Sequence, residues 1–196
     1  MLAHYHGQLF NASEIGRSLG VTDTTARRYL DILSGTFMVR QLQPWHANLK
    51  KRQVKAPKIY FRDSGVFHRL LGLGSDQEIL LHPKLGASWE GFAIEETIRA
   101  VGAESDEVFF WAVHGQAELD LLIVRGGKRF GFEIKFTDRP QITHSLRIAI
   151  DLLELDHAWV IYPGTDSFPL SDDVDAWPLA KIEGVSHLPK SSMNLR

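Results

Sequence analysis

E118-L-D-L-L-I-V-R-G-G-K-R-F-G-F-E-I-K-F136 is the stretch that decides the fold of this chain. Two β-rich runs flank Arg125-Gly126-Gly127-Lys128. A Gly-Gly pair between strands suits a two-residue hairpin turn, whose central residues need positive φ. With Arg125 opposite Lys128, the register predicts Asp120 opposite Glu133 and Glu118 opposite Lys135. Strict alternation then puts these four charged residues on one face. Leu119, Leu121 and Ile123, with Phe132, Ile134 and Phe136, form the other, an apolar surface that must be buried.

Opposed acids destabilise a sheet by roughly 0.2 to 1 kcal/mol unless something neutralises them. A divalent cation would do so, and the chain has no Cys, so any metal must use oxygen or imidazole ligands. Two carboxylates without a converging His set suit Mg²⁺ or Mn²⁺. Lys135, two residues from Glu133, can act on a metal-bound water or hold negative charge on a phosphate. Glu90, beside the apolar stripe of a preceding helix, is the candidate third carboxylate. The plainer reading is a solvated hairpin face carrying one cross-strand salt bridge.

Working outward, a long amphipathic helix is predicted from Leu85 to Val101, then strands over 108–113, 118–124 and 129–136. A helix near 145–155 and a strand over 157–162 complete the order αβββαβ, a mixed sheet covered by helices. The segment after Pro163 reads as partly irregular. Upstream, Asn11 or Ser13 can cap a short helix that stops at Gly20. Thr22 or Asp23 can cap a second helix, with Ala26, Tyr29, Leu30 and Leu33 on its inner face. The pair reads as a helix-turn-helix.

Strands over 37–42 and 58–61 follow, and the basic loop between them has the character of a wing. Arg27, Arg28, Lys50, Lys51, Arg52 and Lys55 are therefore the candidate DNA contacts. Asp63 or Ser64 caps a further helix, and the Gly-containing stretch 72–77 marks the boundary between a domain over 1–74 and one over 75–196. His4-Tyr5-His6 has no converging partners and reads as surface histidines.

Charge supports the division. Residues 1–62 hold ten Lys/Arg against three Asp/Glu, whereas the remainder holds twelve against twenty-one, hidden beneath a net charge of -2. The basic end suits a polyanion and the acidic end a divalent cation. No apolar run approaches the roughly 18 to 20 residues that span a bilayer, and no export signal is visible, so a soluble cytoplasmic protein is expected.

The set Glu90, Asp120 and Glu133-Ile134-Lys135, in this element order, resembles the PD-(D/E)XK nuclease superfamily over roughly residues 85 to 163. The resemblance implies metal ligation by Asp120 and Glu133, with Glu90 often joining, and a lysine at 135 that assists the nucleophilic water. Leu119 stands where that motif has Pro. Further, G7-Q-L, N11-A-S-E-I, A56-P-K-I-Y-F-R-D-S-G65, G86-A-S-W-E90 and E118-L-D resemble the C-terminal part of a bacterial and archaeal family of AAA-type ATPases. That resemblance implies a winged helix followed by a nuclease-like domain, in proteins that also carry a nucleotide-binding domain.

No phosphate loop occurs here. Gly127-Lys128 has Leu122 in place of the first Gly and Arg129 in place of Ser/Thr, so this chain is not expected to hydrolyse ATP alone. Two other readings stay open: a catalytically idle module that regulates an ATPase by binding DNA or protein, and a transcriptional regulator built on the winged helix.

Overall fold

The computed structural model describes residues 1–46 and 54–185, and they form the expected mixed α/β class. By internal contact the chain divides into Met1–Gln43 with Lys55–Phe92, and Pro44–Val54 with Ala93–Arg196. Lys50, Lys51 and Arg52 lie outside the described residues.

In the first unit, β1 (Gln8–Leu9), α1 (Ala12–Leu19), α2 (Asp23–Gly35), β2 (Val39–Pro44), β3 (Lys58–Phe61), α3 (Ser64–Leu70) and α4 (Asp76–Leu81) follow in order. The capping logic is local. Asn11 accepts from the Glu14 N–H, Gly20 closes α1 at φ 67°, and Thr22 accepts from the Thr25 N–H to start α2. β3 pairs antiparallel with both β1 and β2. Phe10, Ile15, Leu30, Ile59, Phe61 and Phe67 form the core.

Two expectations for this unit, at Tyr29 and His6, are corrected, and one short helix is unanticipated. Tyr29 is exposed, because it borders an open apolar groove with Leu2, Leu19 and Ile32 and does not enter the core. Helix α4 falls on the edge of the stretch read as a boundary. Its Ser75-x-x-Glu78 capping box was the available signal. His6 is buried, since its neutral ring is satisfied on both sides: Nε2–H donates to the Ala87 carbonyl (3.0 Å) and Nδ1 accepts from the Phe61 N–H (3.0 Å). The ring stacks on Phe67 at 3.9 Å between centroids.

Burial is the main cause that lowers the His6 pKa from 6.5 to about 4. Between those values the unfolded chain binds a proton that the native state refuses, so this contribution is complete above the unfolded value and declines as pH falls toward 4. The loss is on the order of 3 kcal/mol. Urea unfolding measured from pH 7 to 4 should show this slope, and His6→Gln should flatten it whatever that variant's stability at pH 7. An equal slope in the variant would refute the assignment.

The second unit holds β4 (Val108–Val113), β5 (Ala117–Arg125), β6 (Lys128–Ile134), α6 (His144–Leu153), β7 (His157–Tyr162), β8 (Phe168–Ser171) and β9 (Val174–Pro178). α5 (Leu85–Ala100) contributes residues to both units. The strand order is β4-β5-β6-β7-β9-β8, with β6-β7 and β7-β9 parallel and the other pairs antiparallel. The segment after Pro163, read as partly irregular, is thus a two-strand extension followed by a 3₁₀ segment, Leu179–Gly184. Leu146, Ala149 and Leu153 recur on one face of α6 and pack with Trp111, Leu119, Leu122 and Val160. Helix α6 therefore covers one face of the sheet, and both faces of β5 are largely buried.

Candidate functional site

The turn at Gly126-Gly127 forms as its residues predict, with φ of 60° and 79°. Pairing runs from Arg125↔Lys128 to Leu121↔Phe132, the expected register. On the other side of β5 the register slips. Phe109↔Leu122 is followed by Trp111↔Leu119, so two steps along β4 match three along β5. β5 thus carries a bulge at Asp120-Leu121, a device that re-aims side chains.

The bulge reverses the alternation that strict pairing predicts. Leu119 shares the face of Leu122 and Gly131: a Cβ on Gly131 would lie 3.4 Å from a Leu119 methyl. By the same step, Glu118 turns to the opposite face and leaves the predicted charged quartet. Phe136 is a second correction. β6 ends at Ile134, and Phe136, beyond the ladder, is 47% exposed.

The remaining three predicted residues converge. Lys135 Nζ lies 2.8 Å from Glu133 Oε1 and 3.9 Å from Asp120 Oδ2. Beyond Leu121↔Phe132, the Ile134 N–H donates to Asp120 Oδ2 (2.8 Å). The carboxylate takes a bond that a straight ladder would give to a β5 carbonyl. Lys135 N–H donates to the Ile161 carbonyl of β7 (2.9 Å), which ties the lysine backbone to the next strand.

Thr143 is a component that sequence reasoning missed. Its Oγ1 accepts from the Leu146 N–H (3.0 Å) as the N-cap of α6, and donates to Glu133 Oε1 (3.2 Å). Placing the start of α6 near Ser145 passed over this capping signal. Glu133 is only 3% exposed, and its Oε2 is buried without a hydrogen-bond partner. Such an atom departs from the rule that buried polar groups are satisfied, at a cost of about 1 to 3 kcal/mol.

Glu90 is placed in the first unit. There it accepts from Lys58 Nζ (3.2 Å) and from the Tyr60 hydroxyl. Lys58 is buried, so this pairing meets the need of a desolvated ammonium for a counter-charge. Two of the sequence blocks quoted above, A56-P-K-I-Y-F and G86-A-S-W-E90, therefore meet in one ion pair. Among the described residues, no group of three His, Cys, Asp or Glu side chains is arranged to hold a metal. Arg27, Arg28 and Lys55 are exposed.

The fold and this site define a two-unit α/β chain in which a buried acidic pair and a lysine meet beside a bulged hairpin. It belongs to the family described as Domain of unknown function (DUF4143), which matches residues 85–182. Residues 1–77 match a second, Domain of unknown function (DUF8612). An uncharacterised protein of Mycobacterium tuberculosis and one of Mycobacterium bovis are each 50% identical over 182 residues, 93% of this chain. That match covers 41% of each relative, so the chain spans about two fifths of their length. No solved structure matches. No helix among the described residues is long and apolar enough to cross a membrane.

Proposed function

We propose that this protein is a DNA-binding module with a divalent-metal-dependent phosphodiester-hydrolysing centre at Asp120, Glu133 and Lys135. The observation that carries this reading is Glu133 Oε2, a buried carboxylate oxygen without a partner, beside a second carboxylate and an ammonium. A donor set of carboxylate oxygens fits Mg²⁺ or Mn²⁺. Asp120 and Glu133 are the residues that would hold the ion, which when bound supplies Lewis-acid stabilisation and a nucleophilic water near neutral pH.

The chain's own groups do the rest. Thr143 and Lys135 hold Glu133 Oε1, leaving Oε2 as the open acceptor. The Ile134 N–H fixes Asp120. The partly exposed Lys135 ammonium can hold negative charge on a phosphate oxygen. Arg27, Arg28 and Lys55 supply exposed cations that suit a phosphate backbone.

The resemblance to the nuclease superfamily also names Glu90, which in this chain is engaged by Lys58 and Tyr60. An AAA-type ATPase domain, in cis or in trans, would be the partner by resemblance to that ATPase family, and the cytoplasm the setting. The second reading is a binding module without hydrolysis. It is favoured by the absence, among the described residues, of a three-carboxylate group able to hold a metal.

Incubating the chain with plasmid and short duplexes in Mg²⁺, Mn²⁺ or EDTA separates these readings. Metal-dependent cutting that disappears in Asp120→Ala and in Lys135→Ala is the expected result. Salt-sensitive duplex binding without cutting under any metal would leave the second reading. Arg27→Ala with Arg28→Ala should weaken that binding and lower its salt dependence.

A further inference from the structure

Helix α2 ends at a residue its own backbone does not favour. The Met38 N–H reaches the Leu33 carbonyl (3.0 Å) and the Phe37 N–H the Ser34 carbonyl (3.1 Å). These are the two bonds of a Schellman termination, and they place Phe37 at the left-handed position, with φ 61°. Glycine suits that position, and a residue with a bulky side chain is strained there. Packing does not repay the strain, because Phe37 is 73% exposed. What does meet the ring is charge: the guanidinium carbon of Arg62 lies 5.4 Å from its centroid.

From this strained, solvent-facing aromatic beside a guanidinium we infer that Phe37 and Arg62 form a stacking site for an unpaired nucleic-acid base. The inference rests on the DNA-binding reading above and adds a substrate feature to it, a single-stranded end or a frayed junction. An exposed ring stacks on any base because every base has a π face, and an adjacent arginine can serve both the ring and the neighbouring phosphate. The guanidinium beside the ring favours this occupant over an apolar protein surface, since a phosphate next to a stacked base would meet a cation there. Stacking between neighbouring base pairs hides the faces that an added ring needs along a duplex, so selectivity for unpaired bases follows.

The test compares the full chain on a blunt duplex and on the same duplex with a short overhang carrying 2-aminopurine. The parent should prefer the overhang and quench the probe. Phe37→Gly should lose roughly 5- to 150-fold in overhang affinity, the range of one base stack. It should keep its blunt-duplex affinity and the salt dependence of binding, and melt no lower than the parent, because glycine relieves the left-handed backbone. Phe37→Trp should retain the preference. Unchanged overhang binding by Phe37→Gly would overturn this inference while leaving the DNA-binding reading intact, and would assign the ring to a protein contact. Equal loss on both substrates, with a lower melting temperature, would mark Phe37 as merely structural and also overturn it. A parent that binds neither substrate would remove the DNA-binding reading itself.

Discussion

Under the metal-dependent hydrolysis proposed above, Asp120→Asn is expected to lower cleavage by at least about 10²-fold while leaving the fold within about 1 kcal/mol of the parent. The two effects separate because the Asp120 carboxylate does two jobs. Its Oδ2 accepts from the Ile134 N–H at 2.8 Å, and an asparagine carbonyl oxygen can accept the same bond. Lys135 keeps its nearer partner, Glu133 Oε1 at 2.8 Å, so the ion pair survives. What disappears is one of the two negative charges offered to a cation. A bound metal supplies several kcal/mol of transition-state stabilisation, and each 1.36 kcal/mol is tenfold in rate.

Asp120→Ala differs from it by stranding a buried N–H, which costs about 1 to 3 kcal/mol in addition. Cleavage rates, Mn²⁺ affinity by electron paramagnetic resonance and urea midpoints, measured on both variants, check the separation. Parent-like cutting by a folded Asp120→Asn would place the chemistry elsewhere.

Arg125→Ala should produce the largest loss of stability, about 3 to 5 kcal/mol, the range for breaking a buried ion pair from one side. Arg125 is 7% exposed. Its guanidinium forks onto Glu107, with Nε to Oε1 at 2.9 Å and Nη2 to Oε2 at 2.7 Å. It also donates to the Val101 and Gly102 carbonyls at 3.1 and 2.9 Å, just beyond the end of α5. Removing it strands a partly buried carboxylate and withdraws donors from both carbonyls. Lysine should rescue only in part, since an ammonium cannot reproduce the planar fork.

The same contact predicts a pH signature. The hydrogen bond from Arg125 is the main cause that holds the Glu107 pKa below 4.5. A carboxyl depressed on folding contributes stability above its unfolded value and loses that contribution as pH falls through the folded one. Arg125→Ala should therefore weaken the acid limb of the stability profile. Denaturant midpoints that match the parent at pH 7 would show that this network contributes nothing.

Much of the hairpin was legible in the residues. Gly126-Gly127 dictates a tight turn with positive φ, and pairing near a turn is local, so the register from Arg125↔Lys128 to Leu121↔Phe132 could be read directly. The helix caps at Asn11 and Thr22 were equally local. The bulge was hidden because L119-D-L-L-I-V124 is apolar at both parities around Asp120. A strand buried on both faces carries no period-two signal to mark where alternation breaks.

Glu90 shows the same limit from another direction. Its helix, but not its partners, could be inferred, because Lys58 and Tyr60 lie thirty or more residues away in sequence. Thr143 could be recognised as a capping residue from its own neighbourhood. That its hydroxyl also reaches Glu133 depends on α6 packing against the sheet.

Sequence alone determined the mixed α/β class, the glycine turn and the proximity of Asp120, Glu133 and Lys135, since each depends on backbone preferences or pairing within a few residues of the turn. Tertiary structure alone decided that Glu118 leaves the charged face, that Thr143 holds one oxygen of Glu133, and that the other oxygen is buried without a partner. Those outcomes depend on which surfaces α6 and the neighbouring strands cover, and burial is a property of the packed chain that no local preference encodes.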